Sequence, residues 1–264
     1  MLTLAKIRPP AVAGLFYPLD PHELRRELQA YLAAVRDPGS PPKAMIVPHA
    51  GYIYSGPIAA TAYARLRPAA AQIRRVVLLG PSHRVGFQGL AASAMEAFAT
   101  PLGTVPLDRE GVELALGLPE VVTLEAAHAH EHSLEVQLPF LQVLLDDFRL
   151  VPLVVGDAGA ATVGRVLEAL WGGPETLIVI SSDLSHYEDY ASACRHDSAT
   201  SAAIAALRYE DLDYHDACGR NPIAGLLWLA RRRGLAVELL DLRNSGDTAG
   251  PRDRVVGYGA YALH

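Results

Sequence analysis

Three short apolar runs, each leading into a turn that carries a histidine, constrain the fold of this chain most strongly. The runs are rich in Val, Ile and Leu, have no polar alternation, and lead into His49, His83 and His186. Runs of this kind are typical of parallel strands that helices cover on both faces. Because ligands of such sheets bind beyond the carboxyl ends of the strands, we expect these turns to converge on one crevice.

Helical patterns alternate with the strands along the chain. Amphipathic spacing predicts a helix over 21–35 that is capped by Asp20. Further helices are predicted over 57–66, 109–116, 133–146, 160–171, 193–207 and 223–233, and further strands over 150–155, 237–242 and 255–262. This order predicts an α/β fold in which residues 1–264 form a single domain, with a largely parallel central sheet covered by helices.

The composition excludes several classes of protein. The chain has 264 residues, of which 50% are hydrophobic and 20% charged, and its net charge is -6. This balance is typical of a globular protein and argues against nucleic acid as a partner, since nucleic-acid-binding surfaces are basic. The chain has only two cysteines, no visible secretory signal and no uncharged apolar stretch near the ~20 residues that span a bilayer. We therefore expect a cytoplasmic protein without a membrane partner.

A dense histidine cluster precedes one of the predicted helices. It contains His128, His130 and His132. Alternate residues of an extended segment face opposite sides, so one metal site made of all three is not expected. We predict that His132 points into the crevice as a proton-transfer or substrate-binding group. The other two histidines are predicted to be solvated, and Glu131 and Glu135 to cap or solvate the helix.

Two further segments carry candidate functional side chains. Asp183 and His186 are three residues apart and would share a face of a first helical turn. There the carboxylate either caps the helix or orients an imidazole or a metal ligand. Cys218 lies in a turn before a predicted helix. The helix amino terminus and Arg220 would lower the pKa of its thiol, which favours a thiolate ligand, although a small packed turn residue fits the pattern equally.

Six ordered blocks of sequence span almost the whole chain. They are Ala-Gly-Leu-Phe-Tyr-Pro from Ala13, Pro-His-Ala-Gly-Tyr from Pro48, Gly-Pro-Ser-His from Gly80, Glu-His-Ser-Leu-Glu-Val-Gln-Leu-Pro-Phe from Glu131, Ser-Asp-Leu-Ser-His-Tyr from Ser182, and Cys-Gly-Arg from Cys218. Together they resemble the Memo-like family, whose bacterial and archaeal members are also called AmmeMemoRadiSam system protein B.

This resemblance implies a fold similar to the class III extradiol dioxygenases of the LigB type, which hold non-haem Fe(II) with two histidines and a carboxylate. It implies a metal site with the ligands His49, His83 and Cys218, with Asp183 and His186 beside them and His132 across the pocket. Sulfur is a softer donor than the carboxylate it replaces. The expected ion is therefore Fe(II) or Cu, and Zn also accepts such a ligand set.

The resulting functional prediction is a metal-binding protein with a mononuclear iron or copper site at the strand ends. Its expected activity is redox or dioxygenase-like, on an unknown small-molecule or peptide ligand. Two alternatives stay open: a non-enzymatic adaptor that binds a peptide or metabolite in the same crevice, and a zinc-dependent hydrolase. The family name also implies a functional link with a radical-SAM protein.

Overall fold

A nine-stranded mixed sheet forms the centre of the computed structural model, which describes residues 6–36 and 39–264. The strands are β1 (Ile7–Arg8), β2 (Ala44–Val47), β3 (Arg75–Pro81), β4 (Leu90–Ala92), β5 (Ala97–Thr100), β6 (Gly103–Pro106), β7 (Val121–Thr123), β8 (Arg149–Val155), β9 (Thr176–Ser181), β10 (His186–Glu188), β11 (Val237–Asn244) and β12 (Val255–Leu263). The central order is β10-β12-β2-β9-β3-β8-β4-β7, with β11 also paired to β12, while β1, β5 and β6 form a separate small sheet.

Helices cover both faces of the central sheet. They are α1 (Pro21–Ala34), α2 (Tyr52–Tyr63), α3 (Arg109–Leu116), α4 (Glu125–Ala129), α5 (Leu138–Leu144), α6 (Ala160–Ala169), α7 (Tyr190–Ala205) and α8 (Arg220–Arg233). Helices α1, α2 and α5 share one hydrophobic core, and α6 and α8 pack together within the other. Within the described ranges, no helix is long and apolar enough to cross a membrane.

Four adjacent strands, β2, β9, β3 and β8, run parallel at the centre of the sheet. Their side chains alternate between the two cores: Met45 and Val47 belong to one, Ala44 and Ile46 to the other. Both faces of the four strands are therefore buried, which explains why their sequences show no polar alternation. The flanking strands β12 and β4 pair antiparallel with β2 and β8. The predicted α/β fold with a largely parallel central sheet is confirmed.

Local signals predict some helix boundaries better than others. Asp20 accepts hydrogen bonds from the backbone N–H groups of His22 and Glu23 at 3.0 and 2.8 Å, as expected of the cap of α1. The expected start of α2 at Pro57 is wrong, because the helix begins at Tyr52. Pro57 has no N–H to donate to the carbonyl four residues back, which is that of the exposed Ile53.

The segment after β9 is extended, so the expected helical turn carrying Asp183 and His186 is wrong. The Leu184 N–H donates to the carbonyl of Gly257 at 2.8 Å, and the Ser185 N–H donates to the Asp197 carboxylate at 3.0 Å. These bonds satisfy the backbone without a helix and lead the chain into β10, which pairs antiparallel with β12.

A buried ion pair joins the start of the described chain to the segment before α5. The Arg8 guanidinium donates to the Glu135 carboxylate at 2.7 Å, and the two side chains are 3% and 0% exposed. Glu135 also accepts hydrogen bonds from the N–H groups of Ala11 and Val12 and from the Tyr17 hydroxyl. The expectation that Glu135 is solvated is wrong, because these donors replace water around its carboxylate.

Replacing Glu135 by Gln should lower the free energy of unfolding by roughly 3–5 kcal/mol, because the buried Arg8 would lose its charge partner. Urea denaturation followed by circular dichroism measures the change. The matched control is Glu210→Gln, which breaks an exposed pair with Arg231 and should leave the unfolding midpoint nearly unchanged. Similar small shifts in both variants would contradict a supporting role for the buried pair.

Candidate metal centre

Three neighbouring strands deliver functional side chains to one edge of the sheet. His49 lies two residues beyond the end of β2, Asp183 two residues beyond β9 and His83 two residues beyond β3. Because β9 pairs in parallel with both β2 and β3, the three turns are adjacent in space. A fourth side chain, His132, comes from the loop between α4 and α5.

The imidazoles of His49, His83 and His132 form a compact cluster. Each offers one ring nitrogen, and these nitrogens all lie within 4.8 Å of one another. The rings of His83 and His132 are stacked with centroids 4.6 Å apart, while His49 meets them edge-on at 5.2 and 5.4 Å. Imidazole nitrogens are ligands that zinc, copper and iron accept, so this donor set could hold a metal ion.

Hydrogen bonds fix the tautomer of His49. The Ser181 hydroxyl donates its one proton to the carbonyl of Ser133 at 2.6 Å. It must therefore accept from His49 Nδ1, 2.9 Å away, and it also accepts from the Gln137 amide at 2.7 Å. The Gln137 side chain is held in turn by the Tyr63 hydroxyl. With its proton on Nδ1, His49 turns the Nε2 lone pair toward the site.

A buried carboxylate fixes the tautomer of His83. Glu131 accepts from His83 Nδ1 at 2.8 Å, from the His83 N–H at 2.7 Å and from the Ser133 N–H at 2.9 Å. Burial alone would raise the pKa of Glu131, but the hydrogen bonds with His83 and Ser133 outweigh it and hold the pKa at about 2. The ionised carboxylate leaves His83 Nε2 free to bind a ligand.

His49 and His132 are uncharged near neutral pH. Burial, together with the neighbouring imidazoles, lowers the pKa of His49 well below its usual value. Burial and His83 lower the pKa of His132 in the same way. Both rings are therefore neutral, which is the form that binds metal ions.

Asp183 lies buried at the base of the cluster. Its carboxylate accepts a hydrogen bond from the His49 N–H at 2.7 Å and approaches His49 Nε2 to 4.0 Å. Burial raises the pKa of Asp183, and His186 and the His49 hydrogen bond oppose that rise. Asp183 thus fixes the backbone of the first histidine turn and adds one carboxylate beside its imidazole.

Cys218 contacts the cluster from the turn before α8, where the sequence predicts it. Its sulfur lies 3.3 Å from His49 Nε2. The expected lowering of the pKa of the thiol is wrong: burial raises it, and Asp183 raises it further. The Arg220 guanidinium, which was expected to lower it, lies over the ring of Tyr214, 4.1 Å from the ring centroid.

A cavity of ≈540 Å³ opens above the histidines. His49, His83, His132, Asp183 and His186 all line it. His186 lies on β10 and is exposed, unlike the buried His49. A second cavity of ≈530 Å³ is lined by Cys218 together with residues that follow β3 and β8.

Two expectations about the histidine cluster are wrong. His128 is buried rather than solvated, with Nε2 at 2.9 Å from the carbonyl of Ala91, and burial lowers its pKa to about 4. Glu131 is also buried, as the partner of His83. His130 is exposed as expected. The orienting roles of Ser181 and Gln137 are not predictable from the sequence, because neither residue belongs to a pattern of metal ligands.

A charged clamp outside the cavity joins β10 to the turn before α8. His196 on α7 donates from Nδ1 to Glu188 at 2.7 Å and from Nε2 to Asp216 at 2.7 Å. Glu188 lies on the same strand as His186, and Asp216 lies two residues before Cys218. Partial burial lowers the pKa of His196, but the two carboxylates outweigh it, so the pKa is raised above its usual value.

Glu131→Gln should weaken metal binding by roughly 10- to 100-fold, because the neutral amide no longer holds His83 in the ligating tautomer as a carboxylate does. Titration calorimetry with Zn²⁺ measures the affinity, and a thermal melt checks that the variant is folded. Glu120→Gln, at a partly exposed carboxylate paired with Arg165, is the control and should bind as the parent does. Unchanged affinity in Glu131→Gln would contradict the orienting role.

The clamp predicts a pH-dependent stability. Because the folded pKa of His196 is raised, its contribution is fully present below the unfolded value of ~6.5 and is lost as the pH rises through the folded pKa. His196→Gln should therefore lower the melting temperature clearly at pH ~5.5 and much less at pH ~9. The control is His22→Gln, at an exposed histidine of α1. A loss that is equal at both pH values would contradict the assignment.

The sequence closely matches known proteins along its length. A family model described as Memo-like protein matches residues 8–262. The chain is 38% identical to MEMO1 family proteins of Ignicoccus hospitalis and of Aquifex aeolicus, in each case over 96% of this chain and 97% of the relative. A crystal structure of an uncharacterized protein from Escherichia coli K12 matches with a TM-score of 0.49 and 16% identity, over 83% of this chain and 98% of that chain. This chain belongs to the Memo-like family.

Proposed function

We propose that this protein is a metal-dependent oxidoreductase whose mononuclear iron or copper ion is held by His49, His83 and Cys218. One observation carries the metal site: ring nitrogens of His49, His83 and His132, from distant parts of the chain, lie within 4.8 Å of one another beside the strand ends. Hydrogen bonds to Ser181 and Glu131 already hold two of these rings in the tautomer that a metal needs.

The distance between Cys218 and His49 supports sulfur as the third donor. Nitrogen and sulfur ligands of one tetrahedral zinc ion, at ~2.0 and ~2.3 Å from it, lie ~3.5 Å apart. The sulfur of Cys218 is 3.3 Å from His49 Nε2, which agrees with that value. His132 is the competing third donor, since its ring nitrogen belongs to the same cluster. In our assignment His132 instead borders the metal.

A bound iron or copper ion would supply one-electron chemistry with oxygen. The residues of the chain would bind the substrate and move its protons. His132 is neutral because burial lowers its pKa, so it can accept a proton inside the cavity. His186 lines the same cavity from its exposed side and can anchor a substrate oxygen. Asp183 holds the backbone of the His49 turn in place.

Zinc-dependent hydrolysis is the second candidate. The observation that favours it is the group of three imidazoles, which is the protein ligand set of some catalytic zinc sites. Asp183 lies beside that group, and its pKa is raised by burial, so its carboxylate could take a proton during hydrolysis. In this candidate His132 is a ligand, and Cys218 is not required.

An adaptor without catalysis is the third candidate. The cavity of ≈540 Å³ has the size of a site for a small molecule or a single side chain. Binding by shape and hydrogen bonds alone would not need the ion. Loss of the metal should then leave the binding of a peptide or metabolite unchanged.

Protein purified without oxygen should contain iron or copper, and with ascorbate as reductant it should consume oxygen. Cys218→Ser should lose both properties, because a hydroxyl is a weak ligand for these ions, whereas Cys194→Ser should keep them. His132→Ala should keep the metal and lose turnover. Metal analysis and an oxygen electrode provide the measurements, with iron and copper each tested by reconstitution.

The alternatives predict different results for the same variants. Metal content that survives in Cys218→Ser and disappears in His132→Ala would overturn our ligand assignment in favour of the three-histidine site. Ester or amide hydrolysis by the zinc-loaded protein, without oxygen consumption by the iron or copper form, would favour the hydrolase. Absence of any turnover would favour the adaptor.

We expect this chemistry in the cytoplasm, because both cysteines of the chain are free thiols, as in a reducing compartment. The functional link with a radical-SAM protein that the family resemblance implies is part of the same proposal.

A further inference from the structure

The outer rim of the histidine cavity differs in chemical character from its base. The base carries the imidazole rings of His49, His83 and His132 and the buried Asp183. The rim carries an arginine, Arg254, and an exposed phenol, Tyr187, beside apolar side chains such as Phe16 and Pro251. A rim of this kind selects the ligand that enters, so its charge indicates the class of substrate.

Arg254 is a cation without a carboxylate partner among residues 6–36 and 39–264. Its guanidinium is exposed and lies over the ring of Tyr187, 4.9 Å from the ring centroid. Its neighbour Arg252 is different: it lies 3.9 Å from the Asp247 carboxylate and over the ring of Tyr190, and it does not line the cavity. The N–H groups of Arg254 are therefore available to a ligand, and a planar guanidinium binds carboxylates and phosphates well.

Tyr187 is held in a backbone conformation that side chains rarely adopt. Its φ is 64°, and it lies where the pairing of β10 with β12 shifts register between His186 and Glu188. The side chain is 64% exposed, so packing of the ring into the core does not offset the strain. Strain of this kind is often retained at binding sites, where it aims a side chain. Here the shift turns the ring to the cavity mouth beneath Arg254.

The charge around the cavity favours an anion. Asp183 is the one carboxylate among the described residues that line it, and it is buried and bonded to the His49 backbone. Arg254, a permanent cation, is exposed on the rim. The volume of ≈540 Å³ fits a small molecule. The ring of Phe16 offers a flat apolar wall, and its centroid lies 4.8 Å from that of the His132 ring.

We propose that Arg254 and Tyr187 form an anion-recognition end of the cavity, and that the substrate is a small organic anion with a flat apolar body. The body would lie against Phe16, and the carboxylate or phosphate would reach the guanidinium of Arg254. That the bound anion is a substrate rests on the proposed function. Anion binding itself needs no metal ion.

Metal-free protein tests the recognition directly. Ligand-observed NMR gives dissociation constants for benzoate, phenyl phosphate and benzyl alcohol, which share a flat ring and differ in charge. At least one of the two anions should bind about tenfold more tightly than the alcohol, because a charge-assisted hydrogen bond adds to the shared apolar contact. The tighter of the two anions identifies the preferred group.

Arg254→Gln should abolish this preference, whereas the control Arg252→Gln should keep it. Tyr187→Gly should weaken anion binding and at the same time raise the melting temperature, because glycine adopts a φ of this sign without strain. Benzoate and phenyl phosphate that bind no better than benzyl alcohol, or equal losses in the two arginine variants, would overturn the proposal. Since no metal is present, these results are independent of the oxygen-consumption experiment.

Discussion

The parallel pairing of β9 with both β2 and β3 is the constraint on which the site depends. It sets side by side three turns whose side chains are up to 134 residues apart in sequence. Each of these side chains lies two residues beyond the end of its strand. Since both faces of these strands are buried, a slip of register would move apolar side chains into the wrong core. The positions of the turns are therefore as fixed as the core itself.

Buried carboxylates connect that sheet edge to the rest of the protein. Glu131 fixes His83, and four residues later Glu135 fixes the segment that contains Arg8. Arg8 in turn donates to the carbonyl of Glu131 at 2.6 Å. The loop that supplies His132 is thus held at both ends by charged groups away from water, where unpaired groups would be costly. The stability of the fold and the geometry of the site share these residues.

The sequence was informative wherever a local pattern determines structure. The cap at Asp20, the bounds of α3 and the apolar strands before His49 and His83 follow from neighbours along the chain. The errors have a different origin. An isolated glutamate is usually exposed, and only contacts with Arg8, 127 residues away, make Glu135 a buried residue.

Contacts between distant parts of the chain also limit what the sequence predicts about the site. The turns that carry His49, His83 and Cys218 were recognisable from the residues around them, but the distances between the turns depend on strand order, which no local pattern contains. His128 and His132 are four residues apart, yet one meets the carbonyl of Ala91 in the core and the other faces the cavity. The two histidines have different environments because of how the loop after α4 packs, and the sequence alone does not predict that packing.

The chain of hydrogen bonds through Tyr63, Gln137 and Ser181 means that the state of His49 is set deep inside the protein. None of these three residues lines the cavity, and all are buried. A designer who transplanted only the metal ligands to another scaffold would leave the protonated nitrogen of His49 undetermined. The transferable unit is the imidazole together with its internal supports, and it extends from the edge of the sheet to the helix beneath it.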